Sequence, residues 1–365
     1  MSWFNHEYQS ALFPDLQKLN PKSIVSQSLS AKYAPLYANP EGQERPTALQ
    51  IVQDEGLVGK LAGKVFVVTS CSNGIGIETA RALSATGATL FLTVQNVKTS
   101  KEVLKDILEP GRVELVQLDL ASLASVRAAA ADILNRTSVL NVLVCNAGTM
   151  ATSYGTTVDG FELQFGTNHL GHFLLFELLK SMMLSSSTPS FHSRVIAVSS
   201  TGRRFGGINF GNEDFKSGPK EYTPRGAYSQ SKTASVYMTN EIERRYGSRG
   251  LHGGSLTPGG IFTGIGKHIT GEDQADWPKN EVLTETMLSV EQGAALTVWA
   301  SIGHEWEGKG GFYIEKLQRT PLHPAPTDGE HLPFVPGYAP HAFGQEKAGR
   351  LWTNSLKMVG LENSD

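Results

Sequence analysis

The chain is poor in cysteine, with only Cys71 and Cys145 among 365 residues. Two thiols cannot make a disulfide framework, and neither stands at a metal-ligand spacing. A stapled secreted scaffold and a structural metal module are therefore not expected. Runs of like charge are also missing: 32 Lys and Arg offset 35 Asp and Glu, leaving a net charge of −3. With no basic cluster to follow a phosphate backbone, nucleic acid is not an expected partner. No apolar run reaches the roughly 18 residues that would suggest a membrane span. His6, Glu7, Asp15 and Lys18 break up the first stretch, so neither a signal peptide nor a membrane anchor is expected. The closing Glu362-Asn363-Ser364-Asp365 is neither a peroxisomal nor a prenylation tail. No internal repeat is visible. These absences leave a soluble, cytoplasmic globular protein whose length allows a large core.

What is present divides into three parts. Residues 1–60 read as a leader, and its Trp3, Phe4, Tyr8 and Phe13 suggest that it packs on the body. Residues 61–317 alternate strand and helix patterns. Residues 318–365 form a tail with six Pro between Pro321 and Pro340, then a helix near Gln345–Met358 with Leu351 and Trp352 facing inward. In the middle part, Val65–Thr69 is an unbroken apolar run of the kind found in a strand buried on both faces. Further strands are expected at 89–94, 113–118, 139–144, 194–199, 253–256 and 311–314. Helices are expected at 77–86, 100–109, 122–134, 161–183, around Tyr228 to Tyr246, and at 291–300. The alternation predicts an α/β fold, a Rossmann-like doubly wound parallel sheet of about seven strands with helices on both faces. Two long connections, 202–226 and 260–288, follow strand ends, where such sheets bind ligands.

Two patterns carry chemistry. Ser70-Cys71-Ser72-Asn73-Gly74-Ile75-Gly76 joins a strand to a helix. Glycines there let backbone N–H groups approach a pyrophosphate, although a purely structural turn has the same look. Tyr228 and Lys232, four apart, share one face of a helix. An ammonium beside a phenol stabilises the phenolate and lowers a pKa that is ordinarily about 10. The same spacing also occurs on solvated helix faces.

Thr69-Ser70-Cys71-Ser72-Asn73-Gly74-Ile75-Gly76 resembles the cofactor fingerprint of the short-chain dehydrogenases/reductases. Asn146-Ala147-Gly148, Asn168-His169-Leu170-Gly171-His172-Phe173, Val198-Ser199-Ser200, Tyr228-Ser229-Gln230-Ser231-Lys232 and Pro258-Gly259 with Thr263 match further motifs of that family, in its order. They cover about residues 64–314. The wording is most similar to the retinol-dehydrogenase and WW-domain-oxidoreductase branch, and the leader and tail resemble fungal members that often act in secondary metabolism.

The resemblance implies NAD(P)-dependent hydride transfer between the nicotinamide and a carbonyl or alcohol carbon. It makes Tyr228 the acid in reduction and the base in oxidation, with Lys232 on the nicotinamide ribose and lowering the Tyr228 pKa. Ser200, preferred to Ser199, would hold the substrate oxygen, and Asn168 would keep a relay water. Cofactor contacts are implied at Ser70, Ser72, Asn73, Gly74, Ile75, Gly76, Gln95, Asp119, Leu120, Asn146, Ala147, Gly148, Tyr228, Lys232, Pro258, Gly259, Ile261 and Thr263. Asp119 could equally cap the next turn.

The chain departs from the pattern at two places. Ser70 replaces the first glycine of the fingerprint, and is expected to fit only with negative φ. Gln95 stands where close relatives have Arg. With no acidic residue at the end of the second strand, and Lys98 and Lys101 nearby, NADP is favoured over NAD. His169 and His172 are expected to be packed or supporting side chains. Cys71 is expected to pack in the cofactor loop, although its place near a helix N-terminus would lower its pKa.

The partner expected is a small apolar or aromatic carbonyl or alcohol, walled by Phe205, Ile208, Phe210, Phe215, Ile261, Phe262, Ile265 and Ile269. Monomer and homo-oligomer both stay open. A non-catalytic protein on this fold, which Ser70 would suit, is the competing reading. An S-adenosylmethionine enzyme would give Tyr228 and Lys232 no task.

Overall fold

Short apolar runs become the strands of one sheet. In the computed structural model the described residues are 29–33, 36, 45–215, 218–268, 287–320, 337 and 339–362. Among them lie strands β1 (Val65–Val68), β2 (Thr89–Val94), β3 (Val113–Gln117), β4 (Val142–Cys145), β5 (Ser193–Val198), β6 (Leu251–Leu256), β7 (Phe312–Glu315) and β8 (Gln318–Arg319). Their order is β3-β2-β1-β4-β5-β6-β7-β8. The pairs from β3 through β7 are parallel, and β8 returns antiparallel to β7. Every residue of β1, β4, β5, β6 and β7 is buried, as a sheet covered on both faces requires.

The eighth strand corrects the expectation of about seven. Lys316 and Leu317 make the β7–β8 turn with φ of 51° and 53°. Tight hairpin turns need such angles and usually announce them with Asn or Gly. Here neither residue gives that signal.

One face of the sheet is covered by helices Ala48–Asp54, Ile75–Ser84 and Ala295–Ile302, whose apolar residues share a core with Phe66, Leu92 and Ile314. The other is covered by helices Leu123–Arg136, Gly171–Ser186 and Pro224–Tyr246, with Gln345–Met358 laid on the outside of that layer. Ser122 caps the first of these four by accepting from the Ser125 N–H. The last lies against two of its neighbours: Trp352 meets Phe173 edge-on at 4.9 Å between centroids and also reaches Phe176 and Tyr246. Burying a side chain of this size stabilises by about 1.5–3 kcal/mol.

Several boundaries move. The helix expected at 100–109 is Val97–Val103, started by Asn96, whose side chain accepts from the Thr99 N–H. The helix expected at 291–300 is two pieces, Val290–Gly293 and Ala295–Ile302. The helix expected from 161 has a three-residue start, Leu163–Phe165, then one π-helical turn, Gly166–Leu170, before Gly171–Ser186. In the leader, Leu29 and Tyr33 are buried in the first core, and Lys32 and Tyr33 both bond Asp54. Trp3, Phe4, Tyr8 and Phe13 lie outside the described residues, as does 321–336.

Strand order reverses between β1 and β4, which opens a crevice beyond their carboxyl ends. The loops after β1, β4, β5 and β6 meet there.

Candidate active site

The helix Pro224–Tyr246 begins at Thr223, whose hydroxyl accepts from the Gly226 N–H, and has Pro in its first turn. Its second turn carries Tyr228, and Lys232 follows one turn later; both are buried. The Lys232 ammonium donates to the Val198 carbonyl at 2.8 Å, at the end of β5, and lies 5.8 Å from the centre of the Tyr228 ring. Ser199 and Ser200 follow that strand end and separate in role. Ser199 donates to the Lys232 carbonyl at 2.9 Å and is buried under the helix. Ser200 accepts from the Gly202 N–H at 3.0 Å and hydrogen-bonds the Tyr228 side chain.

Burial controls the protonation of the pair. It pushes the Tyr228 phenol up to about 12, and the Ser200 hydrogen bond works against this. It pushes Lys232 down to about 8. The expectation that Lys232 lowers the Tyr228 pKa is therefore corrected for this structure. The ammonium is turned to the Val198 carbonyl, and desolvation dominates the phenol.

Asn168 sits in the π-helical turn and is buried. Its Nδ2 donates to the Thr149 carbonyl and to Ser231 Oγ, both at 2.9 Å, and its Oδ1 accepts from the Thr149 N–H at 2.8 Å. Its backbone carbonyl accepts from His172 Nδ1 at 2.9 Å. A carbonyl can only accept, so this imidazole carries its proton on Nδ1. His172 Nε2 then accepts from the Thr69 hydroxyl at 2.9 Å, and the same hydroxyl accepts from the N–H groups of Asn146 and Ala147. Burial holds His172 neutral, down to about 4. Thr69 and His172 thus tie the loop ends of β1 and β4 to Asn168. Sequence reasoning gave Thr69 no role. A polar residue closing a buried apolar run, and a His four residues after Asn168, were the available signals.

The glycine-rich turn departs most from expectation. Ser70 has φ of 59°, in the left-handed region, where negative φ was expected. Asn146 Nδ2 donates to the Thr69 carbonyl at 2.9 Å and to the Ser70 carbonyl at 3.3 Å, which holds the bend. A side chain in this conformation costs about 1–2 kcal/mol. Gly76 passes so close beneath that an added Cβ would stand 2.0 Å from the Ser70 carbonyl oxygen. Gly74, with φ of 55°, faces Thr263 across the crevice, its Cβ position 3.3 Å from that side chain. Ser72 and Asn73 form the turn between, and Ile75 starts the helix against the core.

The other implied cofactor positions line the same edge. Gln95 donates to Asp119 at 3.2 Å, and Asp119 also accepts from the Ala121 N–H at 3.0 Å, so it caps its turn as well. Leu120 is buried against Gly171. Pro258 and Gly259 follow β6, with Gly259 at φ of 103°, and Ile261 forms a single bridge with Leu288. At Gly148, an added Cβ would lie 3.2 Å from Lys232 Nζ and 3.4 Å from Asn168 Oδ1.

Three other expectations resolve. Burial pushes the Cys71 thiol up, so the helix N-terminus does not activate it, and its Sγ bonds the Val68 carbonyl. His169 is a packed side chain bonded to Ser355 and flanked by Phe165 and Phe173. Of the proposed pocket walls, Ile208 belongs to the core, Phe210 is half-buried against it and Phe215 is buried against Tyr222, whereas Phe205 and Phe262 are exposed. Ile269 lies outside the described residues.

A short-chain dehydrogenase family profile matches residues 64–212. The chain is 48% identical over 326 residues to short-chain dehydrogenase/reductase prx1 of Penicillium roqueforti, covering 89% of this chain and 94% of that one. It is 34% identical to human retinol dehydrogenase 13, covering 83% and 86%. An uncharacterized protein from Mycobacterium paratuberculosis, 29% identical, superposes with a TM-score of 0.61 over 84% of this chain and 97% of its own. Likeness that runs through nearly the whole length of both chains extends well beyond the six short motifs, and the chain belongs to the short-chain dehydrogenase/reductase family of oxidoreductases.

Proposed function

We propose that the chain catalyses NADP-linked reduction of a carbonyl, or oxidation of the matching alcohol, on an apolar or aromatic small molecule. The observation that carries this reading is the cluster of buried Tyr228, Lys232 and Asn168 with half-buried Ser200 beside them, at the reversal of strand order. A nicotinamide nucleotide fits the residues present. The space a Cβ would fill at Gly148 borders Lys232 Nζ, and the glycine-rich turn opens onto Thr263. Bound there, the nucleotide supplies the hydride.

The protein's own residues do the rest. Tyr228 gives its phenolic proton to the nascent alkoxide, or takes one in oxidation. Burial keeps this phenol protonated at neutral pH, so the proton needed for reduction is in place. Ser200 bonds the substrate oxygen and stabilises its developing charge. Lys232, pushed down to about 8 and still largely protonated at neutral pH, holds ribose hydroxyls. Asn168 keeps its turn, and with it the path to Lys232, in place. Gln95 takes the place where an acidic residue would repel a 2′-phosphate, which supports NADP. Residues 61–317 would form this unit, with leader and tail around it, and a role in secondary metabolism suits the reading.

The competing non-catalytic reading rested on Ser70. Ser70 follows the left-handed path itself and Asn146 holds it there, so the turn has not lost its shape. Fluorescence titration with NADPH and NADH, followed by cofactor consumption with aromatic aldehydes, quinones and ketones, tests the proposal. Saturable NADPH binding with turnover is expected. No saturable binding would favour the non-catalytic reading, and turnover of sugar-like carbonyls alone would defeat the apolar substrate.

A further inference from the structure

We propose that Arg203, Arg204 and Glu315 form a clasp that grips the tail backbone at Gly337 and positions Ser200 for catalysis. The inference rests on the catalytic reading above. Ser200 starts a tight 3-10 turn, Thr201–Phe205. Its hydroxyl accepts from the Gly202 N–H, its carbonyl accepts from the Arg203 N–H at 3.2 Å, and Gly202 lies against the Tyr228 ring. The path of this turn therefore fixes where the Ser200 hydroxyl points.

Two arginines follow, and both turn inward. Arg204 Nη2 donates to both oxygens of Glu315, at 2.9 and 3.0 Å, with the side chains only 8% and 5% exposed. The Gly337 carbonyl accepts from Arg203 Nη2 at 3.0 Å and from Arg204 Nε and Nη2 at 3.1 and 2.8 Å. The Gly337 N–H donates to Glu315 at 2.8 Å. Gly337 holds φ of 149° there. A second tie lies close by: His341 Nε2 donates to the Arg203 carbonyl at 2.9 Å, and the Tyr237 hydroxyl bonds the His341 carbonyl. Strand alternation puts Tyr313 and Glu315 on one face of β7, and the Arg203 guanidinium lies 3.8 Å above the Tyr313 ring.

This is a costly arrangement for stability alone. Arg203 is wholly buried, and its Nε and Nη1 have no hydrogen-bond partner. Burying polar donors unpaired is unfavourable, and apolar packing of the same volume often does as well as a buried ion pair. What the arrangement does achieve is to lock the turn after Ser200 against β7 and the tail together. A misplacement of about 1 Å at such a group can cost about a hundredfold in rate. Arg204 and Glu315 are accordingly positioning residues that act through Ser200.

The test is Glu315→Gln in the full chain, which keeps the shape and removes the counter-charge. With NADPH and a carbonyl that the wild type reduces, kcat should fall roughly tenfold or more, while the NADPH Kd stays within about twofold. In the oxidation direction the rising limb of the pH profile should move up, because a displaced Ser200 no longer holds the Tyr228 phenol down. Unchanged kcat and pH profile overturn the clasp. So does a parallel loss of NADPH binding, which would make Glu315 merely structural. Where Glu315→Gln fails to fold, Tyr237→Phe cuts the second tie more gently and is judged by the same readouts. A wild-type chain that binds NADPH and turns over nothing in the panel overturns the catalytic reading beneath the clasp. An active wild type with an unchanged variant overturns the clasp alone.

Discussion

At the Tyr228 end of the crevice, side chains on helices hold one another in place; at the Ser70 end, the backbone itself is bent and held. Tyr228, Lys232 and Asn168 are buried, and Lys232 and Asn168 are bonded to backbone carbonyls. The glycine-rich turn instead relies on a left-handed Ser70, on Gly76 close beneath it, and on the Asn146 amide. The first kind of site is damaged by changing a functional group. The second is damaged by adding a carbon atom. His172 joins the two, with one nitrogen on Asn168 and the other on Thr69.

The sharpest break is Tyr228→Phe. It should lower kcat by about a hundredfold to ten-thousandfold and leave NADPH titration nearly unchanged, which steady-state and binding measurements would separate. Loss of nucleotide binding as well would erase the distinction between the two ends.

Acid should strike the joint between them. As pH falls through about 6.5 the unfolded chain protonates both imidazoles, while the folded chain resists until about 4 at His172 and about 3 at His169. Stability is therefore full above pH 6.5 and is lost as pH falls towards 4. Urea unfolding at pH 6.5 and 4.5 should differ by roughly 3–5 kcal/mol from these two groups. Replacing either with Gln should flatten the slope, and a slope that stays the same would exclude them as its source.

Gly76→Ala should act at the other end. Its Cβ meets the Ser70 carbonyl, so a loss of about 1–3 kcal/mol and weaker NADPH binding are expected, with kcat at saturating cofactor largely kept. Thermal unfolding and titration together would show it. The smallest effect is Ser70→Gly. Relieving the left-handed Cβ should raise stability by about 0.5–1 kcal/mol in denaturant unfolding, and a decrease would mean that the Ser70 side chain makes a contact worth more than its strain.

The same contrast explains what could be read from the sequence. The gathering of residues at the Tyr228 end was legible because its logic lies in side-chain identity and helical spacing, and Ser200 rather than Ser199 stands beside Tyr228. The apolar runs gave the parallel strands because burial on both faces leaves a plain signature. Features that depend on backbone angle were not legible. Ser70 was expected to avoid positive φ, and Lys316-Leu317 gave no sign of a hairpin. The π-helical turn around Asn168 has no composition of its own. Composition also cannot tell an apolar side chain lining a cavity from one filling a core, and Ile208 is part of the core.

The C-terminal helix has a consequence for assembly. Trp352, Leu351 and Leu356 occupy the outward side of the helices that carry Phe173, Phe176 and Tyr246, and Ser355 bonds His169 beside them. A second copy of the chain could reach that ground only by evicting the first copy's own helix. Within one chain, that helix already gives the helices bearing Asn168 and Tyr228 an apolar cover of their own.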